Sequence, residues 1–212
     1  MKHHVETLSF AQACARLETF LSRDSKTIVG IIGAPGAGKS TLSGRLQALH
    51  PQVSQIVPMD GYHLANVELQ RLGRAGRKGA PDTFDSYGYV ALLRRLREQG
   101  DEEVVYAPEF RREIEEPIAG AIPIFPQAKL LLAEGNYLAY DQGGWQHVAA
   151  LLDEIWFVDV PAATRLERLV ARHVQFGRTH EAAQEWVRVT DEPNARVIEA
   201  TMPRVHYKVT EV

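Results

Sequence analysis

The run Gly33-Ala34-Pro35-Gly36-Ala37-Gly38-Lys39-Ser40, continued by Thr41, constrains this chain more than any other stretch. It has the form G-x-x-x-x-G-K-[S/T] and follows the apolar segment Thr27-Ile28-Val29-Gly30-Ile31-Ile32. A buried strand must therefore pass through a glycine turn straight into a helix. Gly33, Gly36 and Gly38 let the backbone curl so that successive N–H groups converge on one anion. The helix opening at Lys39 adds the positive end of its dipole to the same point. In such a loop the lysine reaches the β- and γ-phosphates and the Ser40 hydroxyl suits Mg²⁺. The four fixed positions match by chance in roughly one chain in a hundred of this length. With the strand before and the helix after, nucleoside triphosphate binding is the reading. The motif leaves open where the γ-phosphate goes.

At 212 residues the chain suits one α/β domain over 1–212, large enough to bury its own core. A formal charge of −3 argues against broad nucleic-acid binding. The one cysteine, Cys14, excludes an intramolecular disulfide and fits a reducing compartment. The start, MKHHVETLSF, has no signal-peptide pattern, and no span reaches about 18 apolar residues. The expectation is a soluble cytoplasmic protein with neither membrane nor nucleic-acid partners. A homodimer stays open, as does the choice between ATP and GTP.

In chain order, Phe10, Cys14, Leu17 and Leu21 predict an amphipathic helix over 6–22. A strand at 26–32, the loop, a helix over 39–49 and a short strand at 53–57 follow. Residues 64–72 have helical spacing, 73–85 read as a loop rich in glycine and basic residues, and 87–99 as another helix. Residues 103–124 read as short strands and turns, a hairpin standing off the main sheet. Strands follow at 129–133 and 155–160. Helices are predicted over 162–175 and 181–189, with a break around Pro193 and a third helical stretch over 194–201. A strand at 205–209 would close the sheet. Strands alternating with helices imply a parallel sheet covered on both faces.

Ligands gather outside the carboxyl ends of such strands. Three ends carry the loop or an acid: Ile32 into Gly33, Val57 into Asp60, and Ala133 into Glu134. Phosphoryl transfer to a hydroxyl needs a proton acceptor, Mg²⁺ and cations over the moving group. Asp60 is the candidate base, set against the role of a helix N-cap. Glu134 joins Ser40 as the candidate metal-side carboxylate, set against an ion pair with a neighbouring arginine. Asp159 is expected to cap the helix after it. Arg165, Arg168 and Arg172 share one helix face, with Arg178 beyond Gly177. That suits a lid that brings Arg165 and Arg172 onto the phosphates, although a solvated charged face has the same spacing. The 77–85 loop offers Arg77, Lys78, Asp82, Thr83 and Asp85 to a polar acceptor, with Phe84 and Tyr87 as walls. His63, Tyr106, Phe110, Arg111 and Arg112 could border the same cavity, with Asp60 and Glu134 beside it.

These blocks together resemble the uridine kinase, phosphoribulokinase and bacterial pantothenate kinase superfamily of P-loop small-molecule kinases. They are GAPGAGKS at 33–40, PMDGYHLAN at 58–66, RKGAPDTFD at 77–85, AEGNYL at 133–138 and the basic helix 165–178. The chain looks most like the bacterial proteins labelled fructose transport system kinases. The resemblance implies an NMP-kinase-like, three-layer α/β/α P-loop NTPase fold with a twisted, mainly parallel sheet and a helical lid at about 162–190. It implies acceptor-site loops at about 61–85 and 103–124, and ATP with Mg²⁺ as the donor. ATP contacts then include Gly33 to Thr41, Arg168 and Asn194, the last in the DEPNA stretch at 191–195 that lies near the adenine. The implied activity is ATP-dependent phosphorylation of a small polar metabolite: first a sugar or polyol, second a nucleoside or pantothenate-like alcohol. The alternative of another class is a P-loop NTPase switch or assembly module. One departure is Arg111, where related chains place an acid, and this substitution would favour an anionic acceptor.

Overall fold

The computed structural model of the protein describes residues 5–23 and 25–210. The expectation for the first four residues lies outside them. Six parallel strands form the sheet: β1 (Glu6–Leu8), β2 (Thr27–Ile32), β3 (Ser54–Pro58), β6 (Leu130–Glu134), β7 (Glu154–Val158) and β8 (Tyr207–Val209). Their order is β1-β8-β7-β2-β6-β3, and every neighbouring pair is parallel. Between β3 and β6 in the chain, β4 (Val105–Arg111) and β5 (Glu116–Ile124) make the separate antiparallel hairpin.

The helices are α1 (Phe10–Leu21), α2 (Lys39–Leu49), α3 (Asn66–Arg71), α4 (Ser86–Arg97), α5 (Ala162–Gln175), α6 (His180–Trp186) and α7 (Glu192–Glu199). Strand β2 is buried along its whole length, and its side chains alternate between the two faces. Ile28 and Ile32 join Leu131, Ala133 and the α4 residues Tyr89, Leu93 and Leu96 in one apolar layer. Val29 and Ile31 join Leu130, Leu132 and the residues Leu17, Phe20, Leu42 and Leu46 of α1 and α2 in the other. Helices on both faces of one sheet make the three-layer α/β/α fold.

Four local expectations change. The predicted helix over 6–22 begins only at Phe10, because Ser9 and Gln12 form a reciprocal capping box and stop it there. Glu6–Leu8 instead pairs with Tyr207–Val209, so β1 closes the sheet and β8 lies one strand inside it. There is no break at Pro193. A π-helical turn over 187–191 carries the chain into α7, and Pro193 sits in its first turn, where a missing N–H costs nothing. Asp159 does not cap α5: its carboxylate accepts from Lys208 Nζ at 3.1 Å, and the cap position is Pro161.

Candidate functional site

Sheet register brings the donor loop and both candidate acids to one edge. Glu134 pairs with Ile31 of β2 on one side and with Pro58 of β3 on the other. Gly135 N–H donates to Ile31 O at 3.1 Å, and Met59 N–H donates to Glu134 O at 2.7 Å. The phosphate loop, Glu134 and Asp60 thus leave three adjacent strands at one level. They open into a cleft of about 500 Å³. Gly38 adopts the left-handed conformation (φ +92°) that turns the loop into α2. Gly36 (φ +79°) has no room for a side chain, since a Cβ there would lie 2.6 Å from the Arg165 carbonyl.

On the donor side, Lys39 is buried and makes one long contact, Nζ to Ala34 O at 3.5 Å. Ser40 Oγ donates to Glu134 Oε2 at 3.4 Å. Burial holds the Lys39 ammonium below its usual range, with Glu134 and Asp60 partly restoring it. Loss of water raises the Glu134 carboxyl to about 7, opposed by Lys39 and reinforced by Asp60. Arg172 faces the cleft with neither a hydrogen bond nor an ion pair among the described residues. Burial, and then the nearby Arg112, lowers its affinity for the proton. A buried lysine, an arginine without an ion pair and a carboxyl thus face the same cleft.

Across the cleft, the Asp60 carboxylate faces Arg112 Nη2 at 3.4 Å and caps no helix. His63 donates from Nδ1 to the carbonyl of Asp60 at 2.8 Å. Its ring lies between Phe84, 3.9 Å away, and Phe110, 4.5 Å away. Lys78 bonds Asn66 Oδ1 at 2.6 Å and the Glu115 carbonyl, tying the 77–85 loop to the hairpin turn. Asn66 Nδ2 donates to that same carbonyl at 3.1 Å, and the Glu116 carboxylate accepts from Asn66 N–H at 3.0 Å. Tyr137 and Trp145 hold the loop from beneath through Gly79 O and Pro81 O. Close packing seats the hairpin itself: a Cβ on Gly61 would lie 2.1 Å from Pro108 O.

Several predicted residues stand elsewhere. Arg165 does not reach over the phosphates: it is 3% exposed beneath the loop, bonded to Pro35 O at 3.3 Å and Glu192 at 2.6 Å. Position along α5 explains this: residues 165 and 172 share a face but lie about two turns apart, and Gly36 packs against the Arg165 end. Arg168 is exposed, and Tyr106 is exposed on the outer side of the hairpin. Arg77 turns away to pair with Asp82. Asp85 caps α4 through Gly88 N–H. Arg111 pairs with Glu109 at 3.2 Å and lies outside the main cleft. Asn194 does line the cleft, with its amide nitrogen 3.9 Å from where a Gly79 Cβ would stand. The sequence reading missed Glu115, His173 and Trp186 in the lining, whereas Asp191 belongs to the 191–195 stretch that the resemblance put at the nucleotide. His173 bonds Asp191 at 2.8 Å, and Arg178 lies 4.1 Å over the Trp186 ring.

No family model matches the chain. Individual relatives do. A Schizosaccharomyces pombe protein provisionally named a uridine kinase is 30% identical over 205 residues, covering 92% of this chain and 87% of its own length. The chain belongs to the uridine kinase-like family of P-loop kinases. Another relative, the ATP-dependent kinase-like protein notR' of Aspergillus versicolor, is 37% identical over 65% of this chain and 84% of its own. Among solved structures, a protein of Silicibacter sp. TM1040 provisionally named a fructose transport system kinase superposes with a TM-score of 0.86 at 37% identity. That match covers 95% of this chain and 98% of the other. YFH7 of Saccharomyces cerevisiae, at 19% identity and a TM-score of 0.78, shares the fold. This uridine kinase-like protein is accordingly an ATP-dependent small-molecule kinase. Among its described residues no helix is long and apolar enough to cross a membrane.

Proposed function

We propose that the enzyme transfers the γ-phosphate of ATP to a hydroxyl of a sugar or polyol, within one kinase unit. Nucleosides and pantothenate-like alcohols rank second. The observation that carries this reading is the Asp60 carboxylate, which opens into the cleft shared with the phosphate loop and has no capping duty. Asp60 accepts the proton of the attacking hydroxyl, and Arg112 holds the carboxylate toward the acceptor. Lys39 and Arg172 supply positive charge over the transferring group, which is where such transfer is catalysed.

Mg²⁺ fits the residues present. Among the described residues no group of three or more His, Cys, Asp or Glu could hold a metal by itself. Ser40 and Glu134 instead offer two neighbouring hard oxygens, which suits an ion that takes the rest of its ligands from phosphates and water. When bound, it neutralises phosphate charge. Glu134 would hold the ion as a carboxylate beside the Ser40 hydroxyl. Helices α5 and α6 overhang the cleft and act as the lid, with Arg172 on its inner side.

The test is ADP release across a panel of sugars, polyols, nucleosides, glycerate and pantothenate. Stimulation by a sugar or polyol above every other class is expected. ADP release that no acceptor stimulates would sink the reading.

A further inference from the structure

His63 has a use beyond lining the wall. A backbone carbonyl can only accept, so the 2.8 Å contact with Asp60 O requires the proton on Nδ1. The other ring nitrogen then carries a lone pair. His63 lines the cleft, and Nε2 has no partner among the described residues. Phe84 and Phe110 clamp the two faces of the ring, so it cannot swing to offer another edge. Burial disfavours a second proton; Asp60 opposes that through its charge and its carbonyl, and Lys78 and Arg112 add to the effect of burial. The ring is therefore a fixed acceptor rising from the same turn as Asp60, three residues on.

We propose that His63 Nε2 accepts a hydrogen bond from a second hydroxyl of the acceptor, adjacent to the one that reacts at Asp60. The substrate class is then a polyhydroxylated molecule with neighbouring hydroxyls, and His63 is a specificity-determining residue. This deepens the sugar or polyol reading and rests on it. Lys78 and the rings of Phe84 and Phe110 discriminate little between one hydroxyl and two. A lone acceptor nitrogen discriminates strongly, because a ligand lacking the donor leaves it buried and unpaired.

The experiment compares matched acceptors, a sugar and its deoxy analogue lacking the neighbouring hydroxyl, with wild type and His63→Phe. Phenylalanine keeps the stack of rings and removes the lone pair. Wild type should favour the intact sugar in kcat/KM by about tenfold or more. The variant should lose about tenfold on the intact sugar and less than threefold on the analogue, mainly through KM. Mg·ATP binding, followed with a fluorescent analogue, reports whether the variant folds. If it does not, the wild-type preference alone decides. Equal losses on both acceptors, through kcat, would mean that His63 serves the reacting hydroxyl and would overturn the proposal. So would equal use of both acceptors by wild type. These results differ from failure of the kinase reading, in which no acceptor of any class stimulates ADP release.

Discussion

The two halves of the cleft are built by different means. The donor half is a short contiguous segment, 33–41, made of a glycine-turned backbone and one buried lysine. It hangs from β2, which is buried and paired on both sides. The acceptor half is assembled from the turn after β3, the 73–85 loop and the β4–β5 hairpin. None of these belongs to the main sheet beyond Pro58. They are joined by side chains, above all Asn66, whose backbone N–H, amide and carbonyl are all engaged. Glu115, the residue that Asn66 and Lys78 grip, is the one described non-glycine residue with positive φ (+53°). A side chain in that conformation is strained, and the grip on its carbonyl holds it there. A backbone-built half depends little on which side chains line it. A side-chain-built half can be re-cut one residue at a time.

Four measurements test this contrast, the largest effect first. Lys39→Ala should lower kcat/KM by about 10³-fold, since one preorganised donor to developing charge is worth that much. It should also weaken ATP binding, measured by titration with a fluorescent analogue; unchanged affinity would contradict the placement of the loop. Asp60→Asn should lower turnover by about 10²-fold or more, the range of lost acid–base catalysis, with ATP affinity retained. Full activity would remove Asp60 from its role. Lys78→Met should raise the acceptor KM by about tenfold and leave the ATP KM unchanged, because the hairpin turn loses its tie while the donor loop is untouched. A parallel rise in both KM values would show the halves to be one unit.

The smallest effect is on stability. The Glu134 carboxyl is raised from its ordinary 4.5 to about 7 in the folded, ligand-free protein. The folded state therefore holds this proton more tightly than the unfolded chain does. Its contribution is full below the unfolded value and is lost as pH rises through about 7. Glu134→Gln should accordingly raise Tm relative to wild type at pH 8 and give little difference at pH 5, read by thermal denaturation. Saturating Mg·ATP should abolish the pH 8 advantage, because the bound cation compensates the carboxylate in the wild type. An equal shift at both pH values would locate the effect in packing instead.

Much of this was legible in the residues. The apolar run of β2 and the strands alternating with helices announced a parallel sheet covered on both faces, and PMDGYHLAN placed an acid at the end of β3. What misled was uniform spacing. Arg165, Arg168 and Arg172 look alike as a row, yet one is buried under Gly36, one is exposed and one faces the cleft. Helical spacing assigns a face and says nothing about what that face packs against at each end. Arg111 misled for a related reason. On a hairpin, neighbours point to opposite sides, so Arg112 reaches Asp60 while Arg111 turns to Glu109.

By itself the sequence determined the triphosphate site, because a glycine loop between a strand and a helix is a local device whose geometry is set by its own backbone. It also determined a parallel sheet with helices on both sides, because hydrophobic periodicity records burial. Only the tertiary structure decided which cations face the cleft, that β1 rather than β8 ends the sheet, and that Asn66, Lys78 and Glu115 meet. Those contacts join residues 12 to 49 positions apart, and loop and hairpin segments without periodicity leave no trace of such meetings in the sequence.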